Sequence, residues 1–315
     1  MTAIETDEIQ RVAVLGCGTL GASWAALFLA HGLDVAAYDP APGFEARTAA
    51  AVEAARAQLA ELGLRGAGTL WFHAKLADAL AGADFVQENA PENEAVKRAL
   101  LAEADRLLTP AILIASSTSA MLRSAIVADC ARPERVLVAH PFHPPHLVPL
   151  VEIVAATPEV AARAGVFYAR LGRRPVVLNR EMPGHIANRL ASALYREAVN
   201  LVAEGVASVA DIDAALCNGP GLRWAAMGPH MTYHLGGGAG GIRHYLDHLG
   251  PSQVRRWASL GNPDLTEDVK DRIVAGIADE AGGRSVEALA ARRDAALIAI
   301  LGARIEVAGE APNRS

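Results

Sequence analysis

Short, mostly apolar runs alternate with segments of helical periodicity through the first half of the chain. The periodicity predicts helices at 19–31 and 44–62, and helical patterns lie between most of the later runs. The predicted strands are 11–15, 35–38, 85–87, 112–115, 136–139, 151–154 and 175–178. Apolar strands separated by helices are typical of a parallel sheet that is covered on both faces. The first half is therefore predicted to be an α/β domain with a mainly parallel sheet.

Beyond Pro183-Gly184 the pattern becomes helical, and no segment has the composition of a convincing strand. The predicted helices are 186–204, 209–216 and 286–305. The glycine-rich stretch 236–241 is too short for a linker and predicts a tight loop in which backbones approach closely. We expect an α/β domain over 1–182, followed by an all-α domain over 183–315.

Composition narrows the classes of protein that the chain can belong to. It has 315 residues, 52% hydrophobic and 20% charged, with a net charge of −6 and no basic stripe that suggests nucleic acid. Apolar stretches such as 25–30 fall far short of the ~20 residues that a membrane span needs. Cys17, Cys130 and Cys217 lack paired spacing, which favours a reducing compartment, and the acidic residues 1–8 do not resemble a signal peptide. We expect a cytoplasmic protein without membrane or nucleic-acid partners.

A glycine-rich turn joins the first predicted strand to the first predicted helix. In this context G-x-G-x-x-G supplies a sharp turn, room for a pyrophosphate and close helix–strand packing, and the helix N-terminus favours phosphate. Asp39 ends the second strand, where a carboxylate bonds ribose hydroxyls and repels a 2′-phosphate. The motif predicts a Rossmann-type domain that binds NAD, with a glycine turn of an unrelated α/β protein or an FAD site as alternatives. The predicted cofactor-binding residues are Gly16, Gly18, Thr19, Leu20, Gly21 and Asp39.

A second polar cluster lies at the ends of the later strands. Ser116-Ser-Thr-Ser119 follows one strand, His140-Pro-Phe-His143-Pro-Pro-His146 follows the next, and Glu152 lies inside an apolar strand. A lone buried carboxylate is costly, so Glu152 needs a partner, and His140 is a natural one. A glutamate that holds one imidazole nitrogen leaves the other nitrogen free as a general base. The same pattern also allows an ordinary core ion pair, or a metal site built from the three histidines, although no acidic or cysteine ligands with metal spacing stand nearby.

Four motifs together resemble the 3-hydroxyacyl-CoA dehydrogenase superfamily, over essentially the whole chain. They are Ser116–Ser119, His140-Pro-Phe, Pro149-Leu-Val-Glu152 and Pro183-Gly-His-Ile-Ala-Asn188-Arg-Leu190. The resemblance implies that His140 is the general base, that Glu152 orients it, and that Ser119 and Asn188 bond the substrate oxygen. The mechanism that the resemblance implies requires no metal. The residues that it adds near the cofactor are Glu92 and Lys97.

The helical half resembles one branch of this superfamily, that of the L-carnitine dehydrogenases and, less closely, the λ-crystallin/L-gulonate 3-dehydrogenases. The similarity is carried by 219–237 and 241–245. Relatives of this branch act on small free 3-hydroxy acids. The segment 61–69 agrees, because it has no lysine and one arginine, whereas CoA phosphates are better held by several cations. The expected reaction is NAD-dependent oxidation of a small 3-hydroxy acid to the 3-keto acid; a 3-hydroxyacyl-CoA or L-gulonate is the alternative substrate.

Four residues are candidates for contact with this substrate. Trp224 and Tyr233 offer aromatic faces of the kind that attract a quaternary ammonium, although simple packing explains them equally well. Arg223 is a candidate for binding the substrate carboxylate, with a surface salt bridge as the alternative. His143 stands where this family usually has asparagine.

The resemblance also implies that the helical domain 183–315 binds substrate and pairs subunits, as the helical domain of this family does. We therefore expect a homodimer. Two other classes stay open from the sequence: a dinucleotide-binding protein that has lost turnover, and a metal-dependent enzyme. The joint presence of serine, histidine, glutamate and asparagine argues against the first.

Overall fold

The computed structural model of the chain describes residues 9–308, which form two compact units that divide between Asn188 and Arg189. Segment 1–8, whose acidic sequence argued against a signal peptide, lies outside the described residues, as does 309–315. The assignment of cofactor binding to 1–182 and of substrate binding and dimerisation to 183–315 stays a prediction.

The first unit is built on a sheet of eight strands in the order β3-β2-β1-β4-β5-β6-β7-β8. All neighbouring strands pair in parallel except β6 and β7, which pair antiparallel. The strands are β1 (Arg11–Leu15), β2 (Asp34–Tyr38), β3 (Leu70–His73), β4 (Phe85–Glu88), β5 (Leu113–Ser116), β6 (Val136–Pro141), β7 (Leu150–Val154) and β8 (Arg174–Val177). The prediction of a Rossmann-type domain with a mainly parallel sheet is confirmed.

Six helices connect the strands, and a seventh begins at the end of the first unit. They are α1 (Thr19–Ala30), α2 (Phe44–Glu61), α3 (Leu76–Leu80), α4 (Glu94–Leu107), α5 (Arg123–Ile126), α6 (Pro158–Arg170) and α7 (Ala187–Ala203). Two buried apolar clusters pack against the sheet, one centred on α1 and α6 with Trp24, Phe28 and Phe167, the other on α3 and α4 with Leu80 and Leu101. The strands are thus apolar on both sides because both sides are covered.

The topology brings the carboxyl ends of β1, β4, β5 and β6 to one edge of the sheet. The order reverses between β1 and β4, and ligands of such sheets bind outside the strand ends at this switch point. The polar residues that follow Leu15, Glu88, Ser116 and Val138 in the sequence therefore lie near one another, at the carboxyl ends of these strands.

The edge strand β3 was not predicted from the sequence. It has four residues, and Trp71 within it is 39% exposed. An edge strand has one neighbour and an exposed side, so it lacks the continuous apolar run that marked the central strands.

In the second unit, residues 189–308, the described elements are helices. After α7 they are α8 (Val209–Asn218), α9 (Pro220–Trp224), α10 (Pro229–Gly236), α11 (Gly241–His248), α12 (Gly250–Ala258), α13 (Glu267–Ala281) and α14 (Val286–Ala308). The tight loop predicted at 236–241 is confirmed, because a Cβ on Gly237 would lie 1.9 Å from the carbonyl oxygen of Gly241. Among the helices of residues 9–308, none combines the length and apolarity that a membrane crossing needs.

Candidate active site

The glycine-rich turn after β1 leaves room for a ligand where the motif requires it. Gly16 has φ +88°, and a Cβ there would lie 2.6 Å from the backbone of Asn89 after β4. A Cβ on Gly21 would lie 1.9 Å from the Gly16 carbonyl oxygen, so both positions need glycine for packing. A Cβ on Gly18 would meet no atom within 4 Å. The open position is therefore the one at which a pyrophosphate is expected to approach the backbone.

The start of α1 fits a phosphate in the same way. Its N-cap residue is Gly18, which has no side chain to accept hydrogen bonds from the amides of the first turn of α1. Free first-turn amides and the helix dipole favour an anion at this position.

Asp39 stands beside the turn, immediately after β2. Its Oδ2 accepts a hydrogen bond from the amide of Cys17 at 2.8 Å, and its Oδ1 accepts one from the amide of Ala41, also at 2.8 Å. The carboxylate is thus fixed next to the residues expected to hold a dinucleotide, and the donor set of the turn, the helix start and the acid fits NAD.

His140 and Glu152 form the central pair of the site. They are directly opposite each other in the antiparallel β6–β7 ladder, so their side chains project from the same face of the sheet. His140 Nδ1 lies 2.8 Å from Glu152 Oε2, and both residues are buried. The pairing inferred from the cost of a lone buried carboxylate is present in the structure.

Glu152 is held in its ionised form by three donors. Its Oε1 accepts hydrogen bonds from the backbone amides of Ile186 at 2.7 Å and Ala187 at 3.0 Å, while Oε2 pairs with His140. Burial alone would raise the pKa of Glu152, but the hydrogen bonds from His140, Ala187 and Ile186 outweigh it and hold that pKa below its usual value. An ionised Glu152 can only accept, so Nδ1 of His140 carries a proton, and in the neutral ring the lone pair is on Nε2.

Asn188, the second residue of α7, stands beside Nε2 of His140. Its Nδ2 lies 3.5 Å from Nε2 of His140. A substrate oxygen at an ordinary hydrogen-bond distance from Nε2 can therefore also lie within reach of the Asn188 amide.

Ser119 lies on a turn after β5 that Glu92 fixes in place. Oε1 of Glu92 accepts hydrogen bonds from Thr118 Oγ1 at 2.6 Å and from the amides of Ser119 and Ala120 at 2.9 Å each. These bonds, together with Lys97, outweigh the effect of burial and lower the pKa of Glu92. The structure thus shows Glu92 as the clamp of the serine turn, and its predicted contact with the cofactor stays a prediction.

Lys97 is almost completely buried, at 1% exposure. Its Nζ donates to Glu88 Oε1 at 2.8 Å and to the carbonyl oxygen of Ala90 at 2.9 Å, and lies 3.7 Å from Glu92 Oε2. Glu88 also accepts hydrogen bonds from Ser116 Oγ and the Ala90 amide. Lys97 therefore compensates the buried negative charge of Glu88. Its predicted role at the cofactor stays a prediction.

The structure separates the three histidines that a metal site would have shared. His143 is exposed, whereas His146 is buried, with Nδ1 2.7 Å from Ser23 Oγ and Nε2 2.6 Å from Gln58 Oε1. Both ring nitrogens of His146 are thus engaged by the first unit's helices. Among the described residues no group of three possible ligands stands in a metal-binding arrangement.

The remaining substrate candidates lie in the helical unit. Arg223 and Trp224 are on α9, Tyr233 is on α10, and all three are exposed. Tyr233 stacks on Tyr245 with ring centroids 4.8 Å apart. Their contact with substrate stays a prediction.

One residue of the site was not singled out from the sequence. His185 is buried and has φ +49°, a left-handed conformation that residues with a Cβ rarely adopt. Its ring centroid lies 4.9 Å from that of His140, and its Nε2 lies 3.3 Å from the carbonyl oxygen of Thr118. His185 stands inside the family motif 183–190, but that motif gave it no role, and Pro183-Gly184 marks a turn without showing which residue after it is strained.

Comparison with known families identifies the class of protein that this fold and site define. Residues 11–182 match the family model of the 3-hydroxyacyl-CoA dehydrogenase NAD binding domain, and residues 184–262 match that of the C-terminal domain. The chain belongs to the 3-hydroxyacyl-CoA dehydrogenase family, and it is an NAD-dependent oxidoreductase that acts on a small-molecule substrate.

Several named relatives are similar over almost the whole chain. The chain is 45% identical to the L-carnitine dehydrogenase of Streptomyces coelicolor, with 98% of this chain and 99% of that protein covered. It is 46% identical to the L-carnitine dehydrogenase of Pseudomonas aeruginosa, with 94% of each chain covered. Among solved structures, 5-formyl-3-hydroxy-2-methylpyridine 4-carboxylic acid 5-dehydrogenase, an NAD+-dependent dismutase, is 30% identical with a TM-score of 0.80, over 93% of this chain and 97% of that one. The predicted family and branch are confirmed.

Proposed function

We propose that the chain oxidises L-carnitine, or a closely similar small 3-hydroxy acid, to the 3-keto acid, with NAD as the hydride acceptor. The observation that carries the chemistry is the buried His140–Glu152 pair, 2.8 Å apart, beside the strand ends at which the dinucleotide turn lies. The observation that favours the substrate is the similarity to L-carnitine dehydrogenases over almost the full length of the chain.

In the proposed mechanism His140 is the acid/base and Glu152 orients it. With its proton on Nδ1, His140 uses the Nε2 lone pair to take the proton of the substrate's 3-hydroxyl as hydride leaves C3, so that the C–O bond becomes a carbonyl. Glu152 stabilises the imidazolium that results. NAD, when bound, supplies the hydride-accepting chemistry.

The other site residues bind and orient in this proposal. Asn188 donates to the substrate oxygen beside His140, and Ser119 offers a hydroxyl from the turn that Glu92 clamps. The residues proposed to hold NAD are Gly16, Gly18, Thr19, Leu20, Gly21 and Asp39, with Glu92 and Lys97 as the two additional positions.

The connection between β2 and β3 favours a free acid over a CoA thioester. It consists of the single helix α2 and the loop 62–69. The whole connection 39–69 has no lysine, and its three arginines, Arg47, Arg56 and Arg65, are outnumbered by four carboxylates. It is therefore not a cationic surface of the kind that would hold the phosphates of a CoA carrier.

The helical unit supplies aromatic side chains suited to a quaternary ammonium. We propose that Trp224 and Tyr233 contact that group, because aromatic faces attract cations, and that Arg223 binds the carboxylate. All three side chains are exposed, so none is already committed to the core of the unit.

A direct comparison of substrates tests the proposal. L-carnitine, L-gulonate, 3-hydroxybutyrate and 3-hydroxybutyryl-CoA are each offered with NAD, and NADH formation is followed by absorbance. The expected result is a kcat/KM for L-carnitine at least about tenfold above that of 3-hydroxybutyrate, because the latter lacks the cation that the aromatic residues bind. Preference for the CoA ester, or for L-gulonate, would contradict the carnitine assignment while keeping the family's chemistry.

Substitution of Asp39 is expected to change the cofactor preference. In Asp39→Ser the carboxylate that repels a 2′-phosphate is gone, so kcat/KM with NADP should rise and that with NAD should fall, each by about tenfold. Steady-state kinetics with both cofactors measure the ratio. Asp34→Ser, at the start of the same strand, is the matched control and should leave the ratio unchanged; an unchanged ratio in Asp39→Ser would remove Asp39 from the ribose site.

We further propose that the enzyme is a cytoplasmic homodimer. The three cysteines form no disulfide, which suits a reducing compartment. Leu190 and Leu194 follow each other by one turn on α7 and are 60% and 39% exposed, together with Tyr195 at 59%. An apolar helical surface of this kind needs a cover, and a second copy of the chain provides one. Sedimentation equilibrium measures the assembled mass.

A further inference from the structure

The turn at Gly184 and His185 aims two backbone donors at the carboxylate of the site. Both residues have positive φ, +75° and +49°. The amides that follow, those of Ile186 and Ala187, donate to the same Glu152 oxygen. Consecutive amides presented by such a turn form a small anion-binding concavity, here filled by Glu152. Glycine adopts this backbone freely, but histidine does not, so the ring at 185 is retained against a conformational penalty.

The ring of His185 contacts both His140 and the turn that carries Ser119. On one side it packs against His140, with ring centroids 4.9 Å apart and planes tilted by 35°. On the other side its Nε2 lies 3.3 Å from the carbonyl oxygen of Thr118, in the turn that carries Ser119. Because a carbonyl oxygen can only accept, Nε2 of His185 carries the proton and Nδ1 is left with a lone pair.

The lone pair on Nδ1 determines that the His185 ring stays uncharged. Nδ1 of His185 is buried, and no group among the described residues forms a hydrogen bond with it. A proton added there would be buried without an acceptor. Burial lowers the pKa of His185, and the neighbouring His140 lowers it further, against the bond to Thr118 and the charges of Glu152 and Glu92. The ring therefore stays neutral while His140 takes up and gives back a proton.

We propose that His185 is a positioning residue for the general base, a neutral imidazole that braces the ring of His140 and links it to the serine turn through Thr118. The inference deepens the proposed function and rests on it, since it assumes that His140 is the base. No proton passes between the two rings, because Nε2 of His185 faces the Thr118 carbonyl oxygen and Nδ1 has no hydrogen-bond partner among the described residues.

Two substitutions separate the packing of the ring against His140 from the hydrogen bond to Thr118. His185→Phe keeps a flat ring against His140 but cannot donate to Thr118, and should lower kcat about three- to tenfold, the effect of one lost hydrogen bond. His185→Gly relieves the backbone, keeps the amides aimed at Glu152 and removes both brace and link, and should lower kcat about a hundredfold through misplacement of His140. The affinity for NAD should stay unchanged in both variants, and the deuterium isotope effect on kcat with C3-deuterated substrate should stay at or above the wild-type value.

The matched control is His31→Asn. His31 also bonds a backbone carbonyl through its ring, Nδ1 to Leu27 at 2.9 Å, but at the far end of α1. It should keep the kcat of the wild type. Equal kcat values in the wild type, His185→Phe and His185→Gly would overturn the inference. A fall in kcat with an isotope effect below the wild-type value would overturn it as well, because the step that was slowed would then not be the transfer of hydride and proton.

A spectroscopic readout keeps the inference separate from the choice of substrate. In the wild type and in His31→Asn, the His140 Nδ1 proton bonded to Glu152 should give a strongly downfield NMR signal. The 15N shifts should show that the neutral ring of His185 is protonated at Nε2 and that its pKa is lower than that of an ordinary histidine. His185→Gly should broaden or remove the downfield signal. If the wild type oxidises no 3-hydroxy acid, the proposed function fails, and this signal still decides the inference: its persistence in His185→Gly overturns it.

Discussion

Replacing His140 by alanine is expected to reduce turnover by about a hundred- to ten-thousand-fold, because it removes the group that takes the hydroxyl proton. Glu152→Gln should be comparably damaging. A glutamine can donate its amide N–H to Nδ1 of His140, which moves the ring proton to Nε2 and removes the lone pair that acts as base. The corresponding carboxylate-to-amide change in the serine-protease triad lowers kcat by about ten-thousand-fold for this reason. Stopped-flow formation of NADH measures both variants.

Binding of NAD distinguishes a chemical defect from a folding defect. Neither substitution touches the glycine turn, so both variants should bind NAD with the affinity of the wild type, as measured by calorimetry. Glu159→Gln makes the same chemical change on the exposed first turn of α6 and should retain full activity. Full activity in His140→Ala or Glu152→Gln would remove the mechanism altogether.

Lys97→Met is expected to cost about 3–5 kcal/mol in the free energy of unfolding, the usual effect of removing one partner from a buried ion pair. The substitution leaves the carboxylate of Glu88, which is fully buried, without its cation. Converting both partners, in Lys97→Met with Glu88→Gln, should recover much of the loss, because the uncharged amide no longer needs that cation. Urea denaturation followed by fluorescence measures each change.

Lys270 provides the matched control for burial. It pairs with Glu267 at 2.7 Å, close to the 2.8 Å of the buried pair, but the two side chains are 51% and 85% exposed. Lys270→Met should therefore change the free energy of unfolding by less than about 1 kcal/mol. If the two lysine variants unfolded at the same urea concentration, burial would not be what gives Lys97 its importance.

Much of the fold and the central pair could be predicted because their signals are local. The apolar runs of β1, β4 and β6 and the glycine turn at Gly16 each need only a few consecutive residues. The partnership of His140 with Glu152 could be inferred from energetics alone, since a carboxylate in an apolar strand must be compensated. The sequence did not show that β6 and β7 run antiparallel, the arrangement that places the two side chains directly opposite.

The features that could not be predicted depend on contacts between residues far apart in the sequence. His146 is engaged by Ser23, 123 residues earlier, and by Gln58, 88 residues earlier, whereas its local spacing with His140 and His143 left a metal site open as an alternative. The backbone conformation of His185 is set by the tertiary structure, and residue type alone gives no sign of it. Such contacts override local patterns, which is why motifs predicted the chemistry better than the supporting bonds.

The main chain of the β6–β7 ladder, rather than a surface loop, holds the acid/base pair, and this has an evolutionary consequence. Loops tolerate substitution and insertion far more readily than paired strands. Descendants of this scaffold can therefore exchange the segments that recognise an alcohol's substituents while inheriting the proton-abstracting machinery intact. Substrate specificity can thus diverge while the mechanism of oxidation is conserved.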